Sequence, residues 1–265
     1  MSGIINYYEV YDEDSRISSS KARKIEFTIT TSILDKYINK GDKILELGAG
    51  TGVYSLYYAR KGHEVTATDL IPKNVEIMER KLKSEEDLKL TAKVADATNL
   101  AEYASENFQV VTCLGPIYHL LEEEQREKCI SEALRVLKKG GILAVAYINK
   151  HFIPHTMLSS GRSFLTKNFI DKVIDTGVLR EGEKECFWTD AYFSSPEEIE
   201  ALVKKFNIEI IDHAATDGIS QIFRDEINDM SEEQYEAFIY YMLKSCREKS
   251  LLGMSNHALL VIKKI

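Results

Sequence analysis

A glycine-rich turn between an apolar segment and a helical one constrains this chain more than any other feature. Residues 43–47, KILEL, are typical of a short buried strand, and the five residues from Gly48 to Gly52 include three glycines. A helix is predicted over 53–61, closed by Gly62. Glycines let a ligand approach the backbone, and the carboxyl end of such a strand is where open α/β sheets bind ligands. The turn therefore predicts a ligand site.

The spacing within this turn separates several kinds of nucleotide site. A dinucleotide fingerprint requires G-x-G-x-x-G, but the third glycine position is occupied by Val53. A phosphate-binding P-loop requires Gly-Lys-Ser/Thr, and no such triplet follows the turn. Both a nicotinamide-dependent dehydrogenase and a P-loop nucleotidase are therefore disfavoured.

Strand-like and helix-like segments alternate through the middle of the chain. Strands are predicted at 63–68, 88–95, 108–114 and 142–148, and helices at 72–83 and 122–138, the second ended by Gly140 and Gly141. Later segments predict a helix from Ser195 to about Lys205, a strand at 207–213, a helix at 232–248 and a final strand in HALLVIKKI. Strands that are apolar on both faces, with helices between them, indicate a parallel sheet covered on both sides.

Composition and charge exclude some classes of function. The 265 residues allow one large domain with insertions, and a formal charge of -8 argues against nonspecific nucleic-acid binding. Four widely spaced cysteines without a C-x-x-C pair exclude a zinc ribbon and fit a reducing compartment. The first residues lack the pattern of a signal peptide, and the apolar runs are short for a membrane span. We expect a cytoplasmic protein without a membrane segment.

Two aspartates follow predicted strands and are candidates for binding a nucleoside. Asp69 ends the second strand, 17 residues after Gly52, where an acid can accept hydrogen bonds from a ribose diol. Asp96, followed by Ala97, comes after the third strand and can accept a hydrogen bond from the exocyclic amine of adenine. Each could instead cap the next helix or lie in an ordinary loop.

Taken together, these segments resemble the class I S-adenosylmethionine-dependent methyltransferases. The resemblance is carried by ILELGAGTG, the acid after the second strand, VADA, VVTCLGPIYHL and the helix end RVLKKGGIL. It implies an α/β Rossmann-like, doubly wound, seven-stranded sheet, mostly parallel, with an antiparallel last strand. It also implies S-adenosylmethionine as cofactor and S-adenosylhomocysteine as product. The implied cofactor-binding residues are Glu46, Gly48, Ala49, Gly50, Asp69, Leu70, Asp96, Ala97 and Leu114.

The residues after the fourth strand bear on which class of acceptor is methylated. Amino-methylases of DNA and of protein glutamine carry Asn/Asp-Pro-Pro-Tyr/Phe there, and cytosine C5 enzymes carry Pro-Cys, whereas this chain has LGPIYH at 114–119. Core packing is the expected role of Cys113. His119 is the candidate catalytic base, because an imidazole titrates near neutral pH, or it only lines the site beside Tyr118. The stretch resembles the small-molecule bacterial branch of the class.

Three further segments supply candidate contacts. Tyr11 and Arg16, before the first strand, are candidates for cofactor binding, and Trp188, Tyr192 and Arg224 are candidates for lining the acceptor site. Ordinary packing of amphipathic segments would explain the same aromatic residues. No metal site is expected, since the spacing of His151 and His155 is interrupted by Pro154 and no third ligand accompanies them.

The sequence thus predicts an enzyme that transfers a methyl group to a small molecule. Residues 1–40 are expected to form a helical lid, and residues 41–265 the methyltransferase domain, with cap insertions at about 151–193 and 219–250. Nucleic-acid and membrane partners are not expected, and the state is monomer or homodimer. Methylation of protein or RNA, and a noncatalytic S-adenosylmethionine-binding role, stay open because a fold alone does not establish a function.

Overall fold

A computed structural model of the chain describes residues 2–14, 19–85 and 87–265. Nine strands are found in the described residues: β1 (Lys43–Leu47), β2 (Glu64–Asp69), β3 (Leu90–Val94), β4 (Phe108–Cys113), β5 (Leu137–Ile148), β6 (Val178–Leu179), β7 (Ala191–Tyr192), β8 (Ile208–Ala215) and β9 (His257–Lys264). Seven of them form one sheet in the order β3-β2-β1-β4-β5-β9-β8, and β6 pairs with β7. Strands β1 to β5 are parallel, whereas β9 runs antiparallel to both of its neighbours. The predicted mostly parallel sheet with an antiparallel last strand is confirmed.

Helices connect most of these strands, and two helices precede β1. The described α-helices are α1 (Ser2–Val10), α2 (Lys21–Leu34), α3 (Val53–Arg60), α4 (Pro72–Leu82), α5 (Glu123–Val136), α6 (Ile153–Ser160), α7 (Lys167–Asp171), α8 (Pro196–Val203), α9 (Arg224–Asn228), α10 (Glu232–Ser245) and α11 (Lys249–Leu252). Short 3-10 turns lie at Pro116–His119 and Arg162–Phe164, and a π turn at Lys172–Thr176. The helices predicted from Ser195 and at 232–248 both begin with a capping box, at Ser195 and Ser231.

The sheet buries apolar side chains on both faces, as the strand pattern predicts. Val110 and Val111 are adjacent on β4 and therefore point to opposite faces. Val111 packs in one cluster with Ile130 of α5, and Val110 in another with Ile29 and Ile33 of α2. Cys113 is fully buried in the α5 cluster, which confirms its predicted packing role.

Two predicted boundaries are wrong. Gly140 and Gly141 lie inside β5 rather than at the end of the preceding helix, since α5 already ends at Val136. A Cβ atom at Gly141 would lie 2.6 Å from the carbonyl oxygen of Gln109, so this glycine permits a close approach of β4. The pairing of β4 with β5 also shifts register between Phe108 and Val110. The helix predicted at 232–248 is α10, which ends at Ser245, and α11 begins only at Lys249.

The segment after β5 packs against the carboxyl end of that strand. Residues of the predicted cap at 151–193 form a cluster of their own with Ile148, including Ile153, Phe169 and Phe193. Near α1, the Lys73 ammonium donates to the carbonyl oxygen of Glu9. No helix in the described ranges is long and apolar enough to cross a membrane. The four cysteines are free thiols.

Candidate active site

The glycine-rich turn leaves β1 at the carboxyl edge of the sheet and leads directly into α3. Gly48 has a φ of 68°, a conformation that side-chain-bearing residues rarely adopt. A Cβ atom there would lie 2.7 Å from Cδ of Pro116, which begins the 3-10 turn after β4. Glycine at this position therefore lets the turn after β1 and the turn after β4 approach each other along one wall of the site.

Asp69, at the end of β2, fixes the same turn through its carboxylate. Its Oδ2 accepts a hydrogen bond from the Gly50 backbone N–H at 2.7 Å. Its Oδ1 accepts from the backbone N–H of Ile71 at 2.9 Å and from the Asn74 side-chain amide at 3.1 Å. Burial raises the pKa of this carboxyl to about 6, although those hydrogen bonds oppose the rise. Asp69 thus combines a structural role in the turn with a position on the cavity wall.

Glu46 is the second buried carboxyl of the site. It lies on β1, is 3% exposed and accepts a hydrogen bond from the Ser55 hydroxyl of α3. Burial raises its pKa to about 7, and the nearby charge of Asp69 adds to the rise. Two carboxyl groups with raised pKa values in one cavity favour a positively charged ligand, whose charge would offset the cost of their ionisation.

Asp96, after β3, presents its carboxylate differently. Its Oδ1 accepts from both the backbone N–H and the hydroxyl of Thr98, each at 2.8 Å. No described residue donates to Oδ2, and Asp96 lines the cavity together with Ala97. One oxygen of this carboxylate thus orients the side chain, and the other can accept a hydrogen bond from a ligand.

These elements enclose a cavity of ≈ 380 Å³ at the carboxyl ends of β1, β2, β3 and β4. That volume falls in the range of about 300–1,000 Å³ typical of small-molecule sites. The predicted residues that line it are Glu46, Gly48, Ala49, Gly50, Asp69, Leu70, Asp96, Ala97, Leu114, Tyr118 and His119. Residues from four separate strand ends therefore meet as the sequence pattern predicts; their roles toward a ligand stay predictions.

His119 is held in one orientation by two hydrogen bonds. Its Nδ1 lies 3.1 Å from the backbone oxygen of Asp190, which only accepts, so Nδ1 carries the hydrogen. Its Nε2 then accepts from the Tyr8 hydroxyl at 3.0 Å. Burial lowers the pKa of His119 to about 4, so the ring is neutral at physiological pH. The ring of His119 thus joins α1 and the 151–193 segment at the cavity wall. Its role as a catalytic base stays a prediction.

A second cavity, of ≈ 230 Å³, adjoins the first. Both are lined by Tyr8, Glu13, Glu26 and Tyr118. The predicted residues Tyr11 and Trp188 line the second cavity rather than the first. Tyr11 is therefore not among the described residues that line the cavity of Asp69 and Asp96.

Several lining residues were not among the predicted site residues. Tyr8, Glu13 and Glu26 come from the part of the chain before β1. For Tyr8 the sequence carried a spacing signal, because Ile4 and Tyr8 are four residues apart and so share one face of a helix. In the structure both residues line the first cavity. Glu13 and Glu26 had no local signal in the sequence.

Two residues predicted to line the acceptor site are placed elsewhere, and one predicted to bind the cofactor lies outside the described ranges. The ring of Tyr192 packs under the guanidinium of Arg126, at 3.6 Å from its centroid. Arg224 is exposed and donates to the Gln221 side chain at 3.1 Å. Neither is among the described residues that line the two cavities. Arg16 lies outside the described residues.

Comparison with known proteins agrees with this geometry. Residues 44–141 match the family model described as methyltransferase domain. This segment is a class I S-adenosylmethionine-dependent methyltransferase domain. It contains the turn at Gly48, Asp69, Asp96 and His119, and the family implies S-adenosylmethionine as the cofactor.

Individual relatives match this methyltransferase domain over part of their length. A ubiquinone biosynthesis O-methyltransferase of Xanthomonas oryzae is 31% identical over 110 residues, covering 42% of this chain and 44% of that protein. A glycine/sarcosine N-methyltransferase of Aphanothece halophytica is 29% identical over 152 residues, covering 57% and 55%. The chain thus spans about half the length of the curated relatives it matches.

Similarity of fold extends over nearly the whole chain. A solved S-adenosylmethionine-dependent methyltransferase from Methanosarcina mazei superposes with a TM-score of 0.61 at 19% identity. The match covers 88% of this chain and 97% of that one. The strands and helices outside residues 44–141 therefore belong to the same architecture.

Proposed function

We propose that this protein transfers a methyl group from S-adenosylmethionine to a small-molecule acceptor. The observation that carries the proposal is the pair of adjoining cavities at the carboxyl edge of the sheet. The first carries the carboxylates of Asp69 and Asp96 beside the glycine-rich turn, and the second shares a wall with it. One cavity suits a nucleoside cofactor, and the other suits a small acceptor.

The residues of the first cavity fit S-adenosylmethionine. Asp69 would bind the ribose hydroxyls, and Asp96 would accept from the adenine amine through its Oδ2. Glu46 and the turn at Gly48 would lie toward the methionine part, where the ionised carboxylate of Glu46 would offset the cofactor's positive charge. The Oγ1 of Thr51 is buried in this wall without a hydrogen-bond partner among the described residues, and a bound ligand would satisfy it.

When bound, S-adenosylmethionine supplies a methyl group on a positively charged sulfur. The protein's part is to hold the acceptor in line and to exclude water. Ile4 and Tyr8 of α1 line the first cavity, so α1 acts as a lid over the cofactor. The hydrogen bond from Tyr8 to His119 holds this lid against the 3-10 turn after β4.

A small acceptor is favoured by the size of the second cavity and by the relatives. The cavity of ≈ 230 Å³ lies between α1, the cap and the start of β9. Two of the matched relatives are named for O-methylation in ubiquinone biosynthesis and for N-methylation of glycine and sarcosine, which is chemistry on small molecules. The formal charge of -8 gives no general attraction for RNA.

Thermal unfolding with candidate cofactors tests the proposal. At about 100 times its dissociation constant, a ligand should stabilise the folded state by about 2.7 kcal/mol. We expect S-adenosylmethionine and S-adenosylhomocysteine to raise the unfolding temperature and NAD to leave it unchanged. Formation of S-adenosylhomocysteine with a small acceptor completes the test. Stabilisation by NAD alone, or by none of the three, would contradict the proposal.

A further inference from the structure

Arg126, near the start of α5, is a buried cation that is not paired with a carboxylate. Its side chain is 7% exposed, and its partners among the described residues are two backbone oxygens and one aromatic ring. The nearby carboxylates of Glu122, Glu123 and Glu127 form ion pairs with other cations. Burying a guanidinium costs free energy, so the contacts of Arg126 have to offset that cost.

The backbone contacts of Arg126 reach the segment that precedes its own helix. Its Nη1 donates to the carbonyl oxygens of Leu120 and Leu121, both at 2.7 Å. These two residues connect the 3-10 turn after β4 to α5, and both line the first cavity, whereas Arg126 is not among its described lining residues. Hydrogen bonds from a charged donor are stronger than neutral ones. Arg126 therefore fixes a wall of the cavity from behind.

The third partner of Arg126 belongs to the cap. The ring of Tyr192 packs under the guanidinium, with its centroid 3.6 Å from Cζ. Tyr192 ends β7, which pairs with β6 in the β6–β7 hairpin (residues 178–192). A planar guanidinium can stack on a ring through its face while its N–H groups donate in the plane. One side chain thus joins this hairpin to the cavity wall.

Two other contacts hold the hairpin to the same wall. Arg180 pairs with Glu122 at 2.7 Å, but 48% and 57% of these side chains are exposed, and exposed ion pairs contribute little to stability. His119 donates from Nδ1 to the backbone oxygen of Asp190 at 3.1 Å. Arg180 and Asp190 both line the first cavity, so the hairpin covers it from the side of the cap. Arg126 supplies the buried, charged contact of the three.

We propose that Arg126 is a positioning residue for cofactor binding, which docks the β6–β7 hairpin on the Leu120–Leu121 wall of the first cavity. The docking itself follows from the contacts, whereas its consequence for the cofactor rests on the proposed function. Lysine cannot replace Arg126, because an ammonium group lacks the planar fork and the stacking face. Phenylalanine can replace Tyr192, because the contact uses the ring alone.

Docking of the hairpin can be measured without a ligand. Trp188, the chain's single tryptophan, precedes β7 and is half-buried, with its ring 5.1 Å from that of His119. We expect acrylamide to quench its fluorescence about two-fold more strongly in Arg126→Lys and in Tyr192→Leu, because both loosen the hairpin. Tyr192→Phe should behave as wild type, and so should Arg80→Lys, a matched change on the exposed surface of α4.

Binding of S-adenosylhomocysteine measures the consequence for the cofactor site. We expect its dissociation constant to rise about ten-fold in Arg126→Lys and about five-fold in Tyr192→Leu, and to be unchanged in Tyr192→Phe. The double variant Arg126→Lys/Tyr192→Leu should stay near ten-fold, instead of the roughly fifty-fold of independent effects, because both changes break the same contact. A purely structural role would lower the unfolding temperature and leave the dissociation constant unchanged.

The outcomes separate this inference from the proposed function. Wild-type quenching and affinity in folded Arg126→Lys protein, or independent effects in the double variant, would overturn the inference. If Arg126→Lys does not fold, Tyr192→Leu is compared with Tyr192→Phe, and equal quenching and affinity in these two would overturn it as well. Wild-type protein that does not bind S-adenosylhomocysteine would refute the proposed function instead, and the quenching measurement would still decide whether Arg126 docks the hairpin.

Discussion

Replacing Asp69 by asparagine tests the cofactor site with the smallest change of shape. The wild-type carboxylate accepts from Gly50 through Oδ2 and from Ile71 and Asn74 through Oδ1. Asparagine keeps one accepting oxygen and replaces the other by an NH₂ group. Whichever way the amide is turned, that group meets a backbone N–H. One buried donor is then left without an acceptor, at a cost of about 1–3 kcal/mol in stability.

The same substitution should weaken binding of the cofactor product by more than it destabilises the fold. A hydrogen bond to a charged group contributes about 1.5–3 kcal/mol, and the ribose diol would lose one or two of them. We therefore expect a loss of about 2–4 kcal/mol, which is a roughly 30- to 1,000-fold increase in the dissociation constant of S-adenosylhomocysteine. Calorimetric titration gives this constant, and thermal unfolding without ligand shows whether the variant is folded.

A matched control separates a local effect from a general loss of charge. Asp175→Asn removes one negative charge at an exposed position of the π turn in the cap. We expect it to bind S-adenosylhomocysteine as the wild-type protein does. If folded Asp69→Asn protein binds within about three-fold of wild type, Asp69 does not hold the ribose and the assignment of this cavity is refuted.

Three further predictions concern the lid, the turn and the buried carboxyls. Tyr8→Phe removes the hydrogen bond to His119, and we expect a two- to ten-fold faster dissociation of S-adenosylhomocysteine (about 0.5–1.5 kcal/mol) in stopped-flow measurements; an unchanged rate would contradict the lid. Gly48→Ala adds a Cβ atom 2.7 Å from Pro116 at a positive φ, and should lower the free energy of unfolding in urea by about 2–4 kcal/mol; a loss below about 0.5 kcal/mol would contradict this. Because burial raises the pKa of Glu46 to about 7, the folded state retains a proton that the unfolded chain releases near its ordinary value of about 4.5. The contribution of Glu46 to stability therefore falls as pH rises from about 4.5 to about 7, and wild-type protein should lose stability relative to Glu46→Gln over that range; parallel pH profiles would contradict the assignment.

The sequence predicted the parts of the site that depend on local pattern. The turn at Gly48, the strand before it and the helix after it are consecutive, so apolar periodicity and glycine spacing were sufficient. Asp69 and Asp96 were found because parallel strands bring their carboxyl ends to one edge of a sheet. Because His119 follows the fourth strand, the same convergence of strand ends placed it in one cavity with Asp69 and Asp96.

The acceptor side depends on contacts that no local pattern encodes. His257 starts the last strand, and its place beside Glu26 of α2 results from the antiparallel insertion of β9 between β5 and β8. Tyr192 was predicted to line the acceptor site from its position in an aromatic insertion, but its ring packs under Arg126. Gly140 and Gly141 were misjudged because glycines ending a helix and glycines inside a strand look alike in sequence.

Product formation is the most direct test of whether the two cavities together perform methyl transfer. The protein would be incubated with methyl-labelled S-adenosylmethionine and a set of small amines, phenols and carboxylic acids, with S-adenosylhomocysteine and labelled acceptor both quantified. Methyl transfer predicts equal amounts of the two products, formed with at least one of these acceptors and abolished in Asp69→Asn at cofactor concentrations that saturate only the wild type. Saturable binding of S-adenosylmethionine without transfer to any of these acceptors would contradict methyl transfer to a small molecule and favour a noncatalytic binding protein.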